Sequence, residues 1–169
     1  MCRKFRLILL THLAMVSPST AQVTETPIAP FALSGQVEVT RITDGDSFRS
    51  GELKIRLFGI DAPELKQRCE TDTGALWSCG LAAQDALRNL IGSTRQLNCH
   101  LRDVDHYSRL VMQCFANGQD IAAALVDHGL ALAYRNFSTA YVENETKAAA
   151  AGHGMWQGRF SPPWDWRRK

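Results

Sequence analysis

The sequence has no long hydrophobic run and no basic excess outside its first residues. The apolar stretch LILLTHLAMV is too short to span a bilayer as a stable helix. The chain has 19 Lys and Arg against 17 Asp and Glu, and residues 1–21 carry three of the basic groups and no acidic one. Residues 22–169 therefore hold 16 basic against 17 acidic groups. This balance gives no support for a broad basic surface that binds nucleic acid, so any polyanion site must be built locally.

The sequence also lacks a C-x-x-C motif, and its histidines have no zinc-ligand spacing, which argues against a thiolate metal site. Four cysteines remain beyond residue 21, namely Cys69, Cys79, Cys99 and Cys114. In an oxidising compartment they are expected to form disulfides, whose three connectivities the count alone does not distinguish. Unpaired buried cysteines are the alternative.

The N-terminus has the pattern of a signal peptide. A basic MCRKFR precedes the apolar run, and SPSTA places Ser19 and Ala21 at the small positions before a cleavage site. Residues 1–21 are thus predicted to be a signal peptide, 22–35 a proline-containing linker or N-terminal arm, and 36–169 the folded domain. We expect export to the periplasm or medium, without stable membrane association after cleavage. A frayed segment or a membrane anchor is the alternative.

Alternating and helical hydrophobic patterns predict a mainly β member of the α+β class in the order β-β-β-α-β-β-α-α. Five strands with a helix between the third and fourth are typical of the OB-fold, a small Greek-key barrel. The predicted strands are 36–42, TDGDSF, LKIRLFGI, RQLNCHL and RLVMQCFA, and the helices are CGLAAQDALRNLIG, DIAAALVDHG and STAYVENETKAAAAG.

The fourth and fifth predicted strands also indicate a disulfide connectivity. If they pair about a centre near residues 106–107, Cys99 lies opposite Cys114. This register favours a Cys99–Cys114 cross-strand bond. Cys69 and Cys79 then remain to close the loop before the first helix.

Five charged residues at strand ends and in loops carry the candidate chemistry: Asp46, Arg56, Asp61, Glu64 and Arg109. Carboxylates are the hard ligands that Ca²⁺ and Mg²⁺ prefer, and arginine grips two phosphate oxygens at once. Such a set fits hydrolysis of a phosphodiester, with a spare carboxylate to activate water. Each residue also has a purely structural alternative. Asp46 would be a turn residue, Glu64 a surface acid and Arg109 an exposed arginine. Arg56 and Asp61 would form an ion pair.

Four motifs in order, ITDGDSF, IRLFGIDAPE, DHYSRLV and LVDHGLALAY, resemble those of the staphylococcal nuclease (thermonuclease) family over about residues 36–157. The resemblance implies an OB-fold and a Ca²⁺-dependent endonuclease that cleaves DNA and RNA and leaves 3′-phosphate ends. We expect nucleic acid as the substrate and a monomer as the active form.

The resemblance also implies roles for the carboxylates. Asp46 and Asp61 match the first and second metal ligands, and Ala62 would contribute its main-chain carbonyl. Glu64 matches the carboxylate near the attacking water. The family's type member has threonine at the position of Ala62, a change that leaves a main-chain ligand intact.

The remaining matches concern the substrate. Arg56 and Arg109 resemble the two phosphate-binding arginines, and Tyr107 and Tyr134 match aromatic positions that hold the nucleotide. A second binding-site tyrosine falls on Asn136 here, where the following phenylalanine offers partial replacement by stacking.

The C-terminal PPWDWRRK is predicted to be a docked tail. Trp164 or Trp166 would pack on the barrel, while Arg167, Arg168 and Lys169 would be solvated. The alternative to a nuclease is a non-catalytic OB-fold module that binds nucleic acid, since a fold alone confers no chemistry. The presence of all five charged residues favours the nuclease.

Overall fold

A curled sheet of short strands forms the centre of the computed structural model, which describes residues 33–169. The predicted signal peptide and most of the predicted arm lie outside these residues. The strands are β1 (Ser34–Glu38), β2 (Arg41–Ile42), β3 (Ser47–Ser50), β4 (Leu53–Leu57), β5 (Ile60–Asp61), β6 (Cys69–Glu70), β7 (Leu76–Trp77), β8 (Gln96–Val104), β9 (Leu110–Ala116), β10 (Gln119–Asp120) and β11 (Leu132–Ala133). The helices are α1 (Cys79–Ile91), α2 (Ile121–Asp127), α3 (Val142–Ala150) and α4 (Pro163–Trp166), with a 3₁₀ helix at Gly154–Gln157.

The main sheet has seven strands in the order β1-β8-β9-β4-β3-β2, with β10 paired to β9. Its pairs are antiparallel except β4 with β9, which run parallel. Two further two-stranded sheets join β5 to β11 and β6 to β7. The predicted mixed, mainly β class is thus present. The predicted five strands and three helices are wrong in number, because residues 33–169 form eleven strands and four α-helices.

Two of the six extra strands arise where predicted strands change partners, and the other four, β6, β7, β10 and β11, are two-residue strands where none was predicted. The first predicted strand is interrupted at Val39 and Thr40, whose amides donate to the carbonyls of Arg95 and Arg49. The predicted third strand is divided into β4 and β5 at Gly59, which has a positive φ of 75°. A non-glycine residue would be strained there. Alternation of side chains does not reveal such breaks.

Both predicted disulfides are present. Cys99 of β8 and Cys114 of β9 are directly opposite in the register and are bonded, and Cys69 is bonded to Cys79 at the start of α1.

The principal core lies between the sheet and helices α1 and α2. Phe48, Ile55 and Leu57 contribute from the sheet, with Leu87 from α1 and Leu125 from α2. Full burial of each such side chain contributes about 1.5–3 kcal/mol. A second cluster surrounds the Cys69–Cys79 bond and includes the C-terminal tail. No helix within residues 33–169 is long and apolar enough to cross a membrane.

Candidate active site

The turn between β2 and β3 holds Asp46 in a fixed, buried position. Gly45 lies so close to α1 that a Cβ there would be 2.6 Å from the Cβ of Ala83. The amide of Asp46 donates to Oδ1 of Asp44 at 3.1 Å, and the amide of Ala62 donates to Oδ2 of Asp46 at 3.0 Å. Burial, with the nearby charge of Asp46, raises the pKa of Asp44 to about 7. The glycine therefore lets this turn pack against the helix that supports it.

Arg56 joins two buried carboxylates. Its strand neighbours Ile55 and Leu57 are buried in the core, so alternation directs Arg56 to the opposite face. Nη1 donates to Oδ1 of Asp46 at 3.1 Å and Nη2 to Oδ1 of Asp61 at 2.7 Å. Burial alone would lower the pKa of Arg56, but the charges of Asp46 and Asp61 outweigh it and raise the pKa. The ion pair considered as a structural alternative thus exists, as part of a larger cluster.

Glu64 lies beside this cluster on a loop that hydrogen bonds with Gln67 hold in place. Its amide donates to Oε1 of Gln67 at 3.2 Å, and its carbonyl accepts from the amide of Gln67 at 2.7 Å. Gln67 is fully buried, whereas about a third of the Glu64 side chain is exposed. The loop therefore presents a partly solvated carboxylate near Asp61, which is itself fully buried.

Arg109 precedes β9 and is held by its own loop. Arg56 pairs with Val111 in the parallel register, so Arg109, two residues earlier, is placed on the same sheet face. Its Nε donates to Oδ2 of Asp105 at 2.7 Å, and its guanidinium lies 5.4 Å from the ring centroid of Tyr107. Burial favours a higher pKa for Asp105, but hydrogen bonds from Arg109 and from the Tyr107 amide lower it overall. Arg109 and the exposed Tyr107 thus form a separate group.

Tyr134 belongs to an aromatic group beside Asp61. Its amide donates to the carbonyl of Gly59 at 2.9 Å, directly after the β5–β11 pair that carries Asp61. The Tyr134 ring centroid lies 5.0 Å from that of the exposed Phe137. It also stacks on Trp164, with 5.7 Å between centroids and 14° between planes.

Arg167 is a site residue that the sequence did not reveal. It was predicted to be solvated, and its side chain is indeed partly exposed, but its guanidinium binds the carboxylates of the site. Nη1 and Nη2 donate to Oδ1 and Oδ2 of Asp61 at 3.0 and 2.7 Å, and Nη1 also donates to Oε1 of Glu64 at 2.7 Å. Helix α4, which begins at Pro163, ends just before Arg167. Trp164 and Arg167 are three residues apart and share a face, so docking of the tryptophan directs the arginine to the carboxylates. This spacing was the available signal.

The donor chemistry of the cluster fits a divalent cation. Among residues 33–169, no group of three or more His, Cys, Asp or Glu side chains is arranged to hold a metal ion. Asp46 and Asp61 nevertheless direct oxygens at the same nitrogen of Arg56, at 3.1 and 2.7 Å. Both carboxylates are buried and lie around the same guanidinium nitrogen. Their oxygens are hard ligands of the type that Ca²⁺ and Mg²⁺ take, and water would complete the coordination.

Comparison with known proteins agrees with this arrangement. The family model described as "Staphylococcal nuclease homologue" matches residues 54–158. An uncharacterized endonuclease of Escherichia coli O157:H7 is 32% identical over 142 residues, which cover 78% of this chain and 84% of that protein. The succinoglycan biosynthesis protein ExoI of Rhizobium meliloti is 29% identical over 120 residues, covering 70% of this chain and 63% of ExoI.

The probable staphylococcal-like nuclease CAN3 of Oryza sativa subsp. japonica is 30% identical over 126 residues, or 73% of this chain and 30% of CAN3. The chain thus spans less than two thirds of the length of ExoI and of CAN3. The family match nevertheless extends over more than half of the chain and includes Arg56, Asp61, Glu64 and Arg109. The chain therefore belongs to the staphylococcal nuclease family.

Proposed function

We propose that this protein is a calcium-dependent endonuclease that hydrolyses phosphodiester bonds of DNA or RNA. The observation that carries the proposal is the convergence of Asp46 and Asp61 on Arg56, with the partly exposed Glu64 beside them. Cleavage of a phosphodiester adds negative charge in the transition state, which cationic groups fixed by buried partners stabilise.

Asp46 and Asp61, with the main-chain carbonyl of Ala62, are the residues proposed to hold the cation. The anionic, oxygen-only character of this set supports Ca²⁺. When bound, the ion supplies Lewis-acid stabilisation of a phosphoryl oxygen. Arg56 holds the two carboxylates in place and keeps its guanidinium charged for the phosphate.

Glu64 and Arg109 complete the proposed catalytic set. Glu64 is exposed enough to contact solvent and accepts a proton from the attacking water, or orients that water. Arg109 reaches the phosphate by exchanging its Asp105 partner for phosphate oxygens, which offer the same two-pronged geometry. Tyr107 and Tyr134 provide the stacking surfaces for bases, with Phe137 beside Tyr134.

Three finer proposals accompany the activity. The curled main sheet, with β1–β4 before α1 and β8–β10 after it, supports an OB-fold barrel. The Cys69–Cys79 and Cys99–Cys114 bonds, together with the N-terminal pattern of residues 1–21, support export. Family membership supports products with 3′-phosphate ends.

The direct test incubates the purified chain with single-stranded and double-stranded DNA and with RNA, first with Ca²⁺ and then with excess EGTA. We expect internal cleavage that stops when EGTA is added. Phosphatase treatment of the products should change their gel mobility, and polymerase extension should require that treatment, because a 3′-phosphate blocks extension. Extension without phosphatase would contradict the proposed product ends.

Matched arginine variants assign the cleavage to this site. Arg109→Ala should reduce kcat at least about a hundredfold if the guanidinium stabilises transition-state charge. Arg88→Ala is the control, because Arg88 is exposed on α1 and pairs with Asp85. A change confined to KM would contradict the role given to Arg109. Binding of oligonucleotide without cleavage under every condition would instead indicate the non-catalytic module.

A further inference from the structure

The guanidinium of Arg167 occupies the carboxylates at the centre of the site. It grips both oxygens of Asp61, at 3.0 and 2.7 Å, and shares Nη1 with Oε1 of Glu64 at 2.7 Å. Arg56 also donates to Oδ1 of Asp61. Each oxygen of this fully buried carboxylate therefore already accepts at least one hydrogen bond from a cation.

Contacts that do not involve the carboxylate groups also hold the C-terminal segment in place. Nε2 of the buried Gln67 donates to the carbonyl of Ser161 at 2.7 Å. Trp164 stacks on Tyr134 and packs against the second hydrophobic cluster. Because these contacts fix α4, the position of Arg167 is set by the fold as well as by its own charge.

A docked Arg167 and a divalent cation on Asp61 compete for the same carboxylate oxygens. The ion needs a lone pair on a carboxylate oxygen. Arg56 and Arg167 together use both lone pairs of Asp61 Oδ1, and Arg167 uses one of the two on Oδ2. A guanidinium within hydrogen-bond distance of the same oxygens would also repel the ion, strongly so at the low effective dielectric of a buried site. Of the two guanidinium groups on Asp61, that of Arg167 is the one with room to withdraw, because 38% of its side chain is exposed against 15% for Arg56.

We propose that Arg167 competes with the metal ion for Asp61, so that docking of this side chain lowers metal affinity and metal binding releases it. The inference rests on the proposed function, which places the cation on Asp46 and Asp61. Arg167 thereby acts as an inhibitor of metal binding within the same chain. By linkage, metal binding weakens the docking of Arg167 by the same factor by which docked Arg167 weakens metal binding.

Titration calorimetry of the full chain with Ca²⁺, without nucleic acid, tests the competition. Arg167→Gln should bind Ca²⁺ about 5- to 150-fold more tightly than the unaltered protein, the usual span of coupling between two ligands. Arg168→Gln is the matched control, since it removes the same charge one residue away, where Arg168 pairs with the neighbouring Asp165. Its Ca²⁺ affinity should stay within about twofold.

Thermal unfolding in EGTA and in Ca²⁺ provides a second measurement. Without metal, Arg167→Gln should melt at a lower temperature than Arg168→Gln, because Asp61 loses a charged partner. With saturating Ca²⁺, Arg167→Gln should gain more in melting temperature than the control, since ligand stabilisation grows with affinity. Arg167→Lys keeps the charge but loses the bidentate hydrogen bond. Its Ca²⁺ affinity should therefore lie between those of the unaltered protein and Arg167→Gln.

Equal or weaker Ca²⁺ binding by a folded Arg167→Gln protein would overturn the competition and would make Arg167 a residue that positions the carboxylates. If neither the unaltered protein nor any of the three variants bound Ca²⁺, the calcium-dependent function would fail and the competition with it. The two failures are distinguishable, because only the first leaves Ca²⁺ binding by the unaltered protein intact.

Discussion

Gly80, in the first turn of α1, lies directly against the main chain of Glu64. A Cβ at residue 80 would be 1.9 Å from the carbonyl oxygen of Glu64 and 2.7 Å from its carbonyl carbon. Because these are main-chain atoms, rotation of a side chain cannot relieve the contact. The helix therefore determines where the loop that carries the candidate base lies.

The first prediction concerns this contact. Gly80→Ala should push the Glu64 loop away from α1, lowering the free energy of unfolding by about 1–3 kcal/mol as overpacking does and reducing kcat in protein that remains folded. Gly35→Ala is the control, because a Cβ at Gly35 meets nothing within 4 Å. Denaturant unfolding and cleavage assays check both. A Gly80→Ala protein as active and stable as the control would contradict the constraint.

The second prediction is that Arg56 is needed for folding as well as for catalysis. Arg56→Met leaves the buried Asp46 with no arginine partner. It also removes one of the two arginine partners of Asp61. Losing one partner of a buried ion pair lowers the free energy of unfolding by about 3–5 kcal/mol. Urea denaturation should show this loss, whereas Arg88→Met on the surface should stay within about 0.5 kcal/mol. Restoration of stability by the further changes Asp46→Asn and Asp61→Asn would confirm the electrostatic cause.

The third prediction distinguishes the two disulfides. Replacing either pair of cysteines by alanine should lower the free energy of unfolding by about 2–4 kcal/mol. Loss of Cys69–Cys79 should also reduce kcat, because Cys79 lies within 3.5 Å of the carbonyl of Gln67, the residue that holds the Glu64 loop. Loss of Cys99–Cys114 should affect stability alone. Equal reductions in kcat from the two replacements would be evidence against this difference.

The fourth prediction is a pH dependence of stability from Asp105. Its pKa is lowered in the folded protein, so its charged form stabilises the fold at pH above the unfolded value of about 3.9 and that contribution disappears as pH falls through the folded value. Asp105→Asn should therefore be less stable than the unaltered protein at neutral pH. The difference should shrink below about pH 4. Thermal melts from pH 3 to pH 8 measure it, and a constant difference would exclude the ionic origin.

Residues close in sequence were predicted well because local periodicity determines their directions. Side-chain alternation in β4 directs Arg56 away from the core, and the β8–β9 register places Cys99 opposite Cys114. Helix α1 was predicted with nearly its observed bounds from its apolar spacing and Gly92. In each case the responsible interaction lies within one element or between neighbours in the chain.

What was missed depends either on strands too short to show a pattern or on partners far apart in sequence. The pairs β5–β11 and β6–β7 have two residues per strand, too few for a periodic pattern. The parallel pairing of β4 with β9 joins strands more than fifty residues apart. Arg167 looked like a solvated tail residue because its partner Asp61 lies 106 residues earlier.

The sequence by itself determined the family, the motif residues, the cysteine pairing and the outward direction of Arg56, because each follows from residue order or from period-two geometry. Only the tertiary structure decided which charges meet. These charges come from three segments: the turn with Asp46, the stretch 56–64 with Arg56, Asp61 and Glu64, and the C-terminal tail with Arg167. Their distances depend on how α1, β5 and the tail pack. Electrostatic contacts of this kind depend on distance in space, which chain order does not specify.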